Sequence, residues 1–280
     1  MNITLLSRLL ALLMIAASPA FASSVVYPVP GHLDAAEGTI EFWLRLEVKA
    51  DVKSMPYFPL FNICKTGEEG ERLRFYYQTI WNEHFHFFLW SRGSVNGTMV
   101  GNPYQVVTIE DTVLTSKSDT SAGRATRIPR VQPGDWHHIA ITWKGLPQST
   151  VALYLDGALV SGPVELPTPL WEGIDDFVFQ LLSNPYQDAH TLDELRISCV
   201  VRSPEEIRQS VASVRAQADI NTLLLDHFEE IREVNGQWQT VPEVFTLGYE
   251  VQGGLINQRN MVELIEGKSG KGLRLLRHYK

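Results

Sequence analysis

Between residues 38 and 48 the chain reads GTIEFWLRLEV, and its apolar positions alternate. Ile40, Phe42, Leu44 and Leu46 fall on one face, and Thr39, Glu41, Trp43 and Arg45 on the other. A period of two predicts a strand with one buried face. The pattern recurs at 57–64, 137–144, 176–182 and 192–199. Residues 73–81 and 85–90 predict a hairpin around Asn82-Glu83. Residues 151–155 and 158–160 flank Asp156-Gly157, a turn pair suited to positive φ at both positions. Many short strands between turn residues predict an all-β, two-sheet antiparallel sandwich.

One short helix interrupts the strands. Ser203 stands at the N-cap, Pro204 at the first helical position and Glu206 at the third, the arrangement of a capping box. Ile207, Val211 and Val214 form an apolar stripe that carries the predicted helix to about residue 218 and packs it on a sheet. Beyond it, 221–230, 241–251 and 273–277 predict strands, 255–260 a loop, and 115–126 a polar surface loop.

Four stretches, in family order, resemble the laminin-G-like family of concanavalin A-like jelly rolls. They are GTIEFWLR (38–45), GDWHHIAITWKG (134–145), VALYLDGALV (151–160) and LDELRISCVVRSPEEI (192–207). The resemblance implies a jelly-roll sandwich and raises the question of calcium at a loop rim. Two more family segments are out of place. NTLLLDHF (221–228) resembles the strand that usually opens such domains, and GKSGKGLRL (267–275) the segment that usually precedes GTIEFW. This implies a single, circularly permuted domain over residues 23–280, with 221–280 supplying the family's N-terminal strands. Leu273 and Leu275 would then lie beside or near residues 25–28. The alternative is that 221–280 opens a second, unfinished domain, whose isolated strands would be marginal in water.

Residues 1–22 read as a signal peptide. Arg8 precedes an apolar run over 9–17, and Ala20-Phe21-Ala22 fits the cleavage rule. The run is too short to span a bilayer, and no later one is longer, so the expectation is an exported chain without a transmembrane segment. The alternative is an uncleaved N-terminal anchor. A formal net charge of −8 argues against nucleic acid or an anionic membrane as partner. In an exported chain the two cysteines, Cys64 and Cys199, permit one disulfide. The alternative is two buried thiols.

Candidate chemistry is sparse. Gly267-Lys268-Ser269 is no phosphate loop, because Val262 stands where the earlier glycine is needed. Retaining glycosidase chemistry needs two carboxylates about 5 Å apart. Asp193 and Glu194 are adjacent, which in a regular strand sends them to opposite faces. The same rule separates His137 from His138 as metal ligands, while His84 and His86 share a face without a visible third ligand. The chain is therefore expected not to be an enzyme. Asn184, Asp188 and Asp193 are the candidate calcium ligands, offering part of the oxygen shell that ion needs. The stretch RFYYQTIWNEHFHFFLW (74–90) places Tyr76, Gln78, His84, His86 and Trp90 on one face, a platform on which a sugar ring can stack. The expectation is an exported, non-catalytic module that binds a glycan or a protein at or outside the cell surface. The alternatives are a structural or assembly module whose aromatic face is buried against another chain, and a divergent glycan-processing enzyme.

Overall fold

A computed structural model describes residues 23–47, 57–65, 71–80, 84–91, 94–95, 98–99, 104–110, 131, 133–145, 149–165, 177–182, 190–245, 252–257 and 259–276. The segment read as a signal peptide lies outside them. The strands begin with Ser23–Pro28 (β1), Glu37–Leu46 (β2), Tyr57–Lys65 (β3), Glu71–Ile80 (β4) and His84–Ser91 (β5). Ser94–Val95 (β6), Thr98–Met99 (β7) and Tyr104–Glu110 (β8) follow, then Trp136–Lys144 (β9), Thr150–Leu155 (β10) and Ala158–Glu165 (β11). Phe177–Leu182 (β12) and His190–Ser198 (β13) precede the helix Pro204–Ser213 (α1). Thr222–Asp226 (β14), Ile231–Val234 (β15), Gln237–Thr240 (β16), Leu255–Ile256 (β17), Val262–Glu266 (β18) and Lys271–Leu275 (β19) complete the order.

These strands form two large antiparallel sheets. One has nine strands in the order β15-β16-β17-β1-β12-β3-β4-β5-β8. The other runs β11-β10-β9-β2-β13-β19-β18, with β14 also paired to β13. Apolar residues from both sheets meet in one core that includes Tyr27, Ile40, Phe42, Phe61, Phe75, Ile141, Trp143, Phe179 and Phe228. Alternation explains the choice: Ile40, Phe42, Leu44 and Leu46 of β2 all join that core, as the two-residue period requires.

Gly38 shows how tightly it closes. A Cβ there would sit 2.2 Å from the Trp143 ring and 2.7 Å from the Ser198 carbonyl oxygen. Gly38→Ala is therefore expected to lower stability by about 1–3 kcal/mol, the usual range for overpacking, read from the urea midpoint at unchanged slope.

The helix begins as expected. Glu206 N donates to Ser203 Oγ, and the Glu206 carboxylate accepts from Ser203 N at 2.7 Å. Ile207 packs against Ala140, Ala152 and Tyr154 on the outer face of the eight-stranded sheet. The helix ends at Ser213, short of residue 218, because Val214 takes φ 62° and its carbonyl accepts from Trp43 Nε1 at 2.9 Å.

The C-terminal strands enter both sheets. β14 pairs with β13 from Leu195 to Ser198, and β19 pairs with it from His190 to Leu192. β17 pairs with β1 in the other sheet. Leu273 and Leu275 thus lie across the core from Val25 rather than alongside it. The 241–251 strand is absent over its described part, where a single bridge joins Leu225 to Val244. Residues 231–240, not expected to pair, form a hairpin closed by Asn235-Gly236, both at positive φ. Of the two readings of the cysteines, the structure forms no bond between Cys64, which packs with Val26, Val178 and Leu255 outside the main core, and Cys199, just after β13 in the other sheet.

Candidate functional site

The candidate platform lies at one end of the nine-stranded sheet, described here by its backbone. β4 and β5 pair Arg74 with Trp90, Tyr76 with Phe88, Gln78 with His86 and Ile80 with His84. β8 extends the rows, setting Gln105 opposite Trp90, Thr108 opposite Phe88 and Glu110 opposite His86. Phe75 is fully buried in the core, its ring 5.7 Å from that of Phe61. Alternation then assigns Arg74, Tyr76 and Gln78 to positions on the sheet's other face. Register thus gathers the positions of Tyr76, Gln78, His84, His86 and Trp90 into one patch. On the next strand Asn62 pairs with Arg74; it is buried and its Oδ1 has no hydrogen-bond partner.

Of the candidate calcium ligands, Asn184 and Asp188 lie outside the described residues. Asp193 is buried, and its oxygens accept from Lys268 N at 2.7 Å, Ser269 N at 2.9 Å and Glu194 N at 2.8 Å. The GKSG turn does grip an anion, but the anion is a side chain of β13. Burial, the largest influence, pushes the Asp193 carboxyl up to about 7 against the pull of these donors. Lys268 Nζ stands 4.5 Å from the centre of the Trp43 ring. Among the described residues no group of three or more His, Cys, Asp and Glu is arranged to hold a metal ion.

The adjacency rule applied to Asp193 and Glu194 breaks at a bulge. β2 pairs Trp43 with Asp193 and Glu41 with Arg196, so two residues of β13 oppose the single Phe42. Glu194 takes φ 54°, the left-handed region, and Leu195 regains the core face. Glu194 instead reaches His227, whose Nδ1 lies 2.6 Å from Glu194 Oε2. The same oxygen accepts from Ala216 N at 2.8 Å. The other ring nitrogen, Nε2, lies 2.9 Å from Glu243 Oε2. With both nitrogens faced by carboxylates, this imidazole has none left to act as base on a substrate.

Two further buried polar sets flank the bulge. Asp226 accepts from the Tyr27 hydroxyl at 2.8 Å and from the Thr240 hydroxyl, joining both sheets through the core. Burial raises the Asp226 carboxyl, against its hydrogen bonds from Thr240, Phe228 N and Tyr27. On the outer face of the other sheet, Glu41 pairs with Arg196 beneath the helix. His138 stacks edge-on against Trp43 there, and burial lowers its pKa. His137, on the opposite face as expected, meets Asp156 at 2.8 Å. In the sequence Glu194 stands out only as the neighbour of Asp193; no local motif links positions 194, 227 and 243.

Residues 22–208 match the family described as the concanavalin A-like lectin/glucanases superfamily, in its laminin-G form. A search of curated proteins found no match. Among solved structures, the receptor-binding domain of botulinum neurotoxin C/D mosaic serotype aligns at 14% identity and TM-score 0.39, over 74% of this chain and 47% of that one. The type G receptor-binding domain aligns at 13% identity and TM-score 0.41, over 82% and 54%. Domain 4 of an extracellular arabinanase from Geobacillus stearothermophilus, in complex with arabinotriose, aligns at 14% identity and TM-score 0.36, over 64% and 68%. The chain spans about half the length of the two toxin domains.

Proposed function

The chain belongs to the concanavalin A-like lectin/glucanases superfamily, a two-sheet jelly roll, and on that premise we propose that it is an exported, non-catalytic module recognising a glycan or a protein at or outside the cell surface. The observation that carries this reading is the register of β4, β5 and β8. It groups the positions of Tyr76, Phe88 and Trp90 with those of Gln78, Gln105 and His86. Flat rings stack on the apolar faces of sugars, while amides and imidazoles supply directional hydrogen bonds. Export rests on the pattern of residues 1–22. The family match stops at residue 208, while β14 and β19 fill places beside β13; this supports a permuted single domain.

The test is binding to a glycan array by the purified protein, with and without calcium, alongside Trp90→Ala. Truncating a central aromatic anchor costs about 2 kcal/mol, so affinity should fall roughly 30-fold. Calcium dependence would bring in Asn184 and Asp188, since the Asp193 oxygens already accept from three backbone N–H groups. A folded wild-type protein that binds no glycan would instead favour the assembly reading, with the aromatic face covered by another chain.

A further inference from the structure

The Glu194–His227–Glu243 arrangement asks for a particular protonation state. A neutral imidazole has one N–H, so its second nitrogen would turn a lone pair toward a carboxylate oxygen. Only the imidazolium donates in both directions, at 2.6 Å to Glu194 and 2.9 Å to Glu243. The two carboxylates differ: Glu194 is buried on β13, while Glu243 is half exposed in the segment after β16. That segment is also held through its backbone and by Phe245, which packs against the core. Glu243 N and Val244 N donate to the Leu225 carbonyl at 2.8 and 3.2 Å, Leu225 N donates to the Val244 carbonyl at 3.1 Å, and Val241 N donates to the Glu230 carbonyl at 3.2 Å. The Phe245 ring then lies 4.1 Å from that of His32.

We propose that His227 is a proton-operated latch: as the imidazolium it ties residues 241–245 to β13, and loss of one ring proton as pH rises releases Glu243 and loosens that segment. The charged groups around the ring favour the cation. Glu194 approaches from β13 and Glu243 closes the exposed side, while burial pushes the nearby carboxyls of Asp193, next to Glu194, and Asp226, at the end of β14, toward their neutral forms. Arg215, from the stretch after the helix, is the opposing cation and is itself paired with Glu229 at 3.1 Å. Burial alone would lower the ring's pKa; the hydrogen bond and charge of Glu194, followed by the bond to Glu243, raise it above 6.5. A base with a raised folded value holds its segment fully below its ordinary pKa. The hold is lost as pH rises through the folded value.

The experiment is amide exchange of the whole protein from roughly pH 5.5 to 9, around the ordinary histidine range, with the His227 ring followed by NMR. Protection factors at Glu243 and Val244 should fall by up to about tenfold per pH unit above the ordinary histidine value, in step with the ring titration. Glu243→Gln, at a half-exposed position, should show weaker protection at acid pH and a flatter slope. His227→Gln should show no slope. Wild-type protection independent of pH, a ring titrating at or below the ordinary value, or a Glu243→Gln profile matching wild type would each overturn the latch.

Discussion

Glu41→Ala should cost about 3–5 kcal/mol, because it leaves a buried guanidinium without its counter-charge. Glu41 and Arg196 have side chains 2% and 7% exposed, and they pair beneath the helix. Arg196 Nη1 also donates to the Gln217 carbonyl at 2.8 Å and Nη2 to Ser210 Oγ at 2.8 Å, so it anchors both the helix and the stretch after it. The pair is imperfectly served: Glu41 Oε2 and Arg196 Nε are buried without hydrogen-bond partners. Replacing both residues by apolar ones, as in Glu41→Leu with Arg196→Met, should therefore recover most of the loss. Chemical denaturation of the two single variants and the double variant checks this. At this chain length the single loss corresponds to a melting point lower by about 10 °C. A loss below about 1 kcal/mol for Glu41→Ala would show that water reaches the pair.

The second large effect is at Asp193. Asp193→Ala strips the acceptor from three backbone N–H groups, two of them in the turn that starts β19. A buried donor left unpaired costs about 1–3 kcal/mol, and because Lys268 N and Ser269 N are only part-buried the combined loss is expected to be about 3–5 kcal/mol. Asp193→Asn keeps an acceptor and removes the charge, which separates shape from electrostatics. The folded carboxyl titrates near 7, above its ordinary 3.8, so the fold binds this proton more tightly than the unfolded chain does. Stability from this group is then greatest below its ordinary value of 3.8 and declines as pH rises from there to about 7. Asp193→Asn should flatten that decline in a plot of unfolding free energy against pH. An unchanged slope would mean the three donors hold the carboxylate ionised throughout.

Local patterns carried the fold. The alternation of β2 and β9, the Asp156-Gly157 turn and the Ser203 capping box each depend on neighbours in sequence, and each is in place. The failures share a cause in distant contacts. The helix stops early because Trp43 claims the Val214 carbonyl. The strand expected over 221–230 ends at Asp226, whose carboxylate accepts from Phe228 N at 2.9 Å while Phe228 takes φ 55°. The bulge at Glu194 escaped the rule of alternation because its advantage lies in reaching His227, 33 positions away. One miss was avoidable: Asn235-Gly236 between polar-apolar runs is a strong hairpin signal. At the site, the rows of β4 and β5 were legible from spacing, and the anion held by GKSG was not, since Asp193 lies 75 positions upstream.

The hydrogen bond between Tyr27 and Asp226 joins residues 199 positions apart, and β1 finds its β17 partner later still. The order of synthesis therefore matters. An emerging chain holds β1 ready long before the strands that cover it exist, and β13 lacks β19 until residues 271–275 appear. Pairing across such separations closes slowly, because loop entropy opposes it before contacts reward it. The nascent polypeptide should thus stay unfolded until β19 has emerged. That leaves it open to proteolysis and dependent on holding factors, and it is also the threadable condition in which a narrow translocation channel can pass a chain.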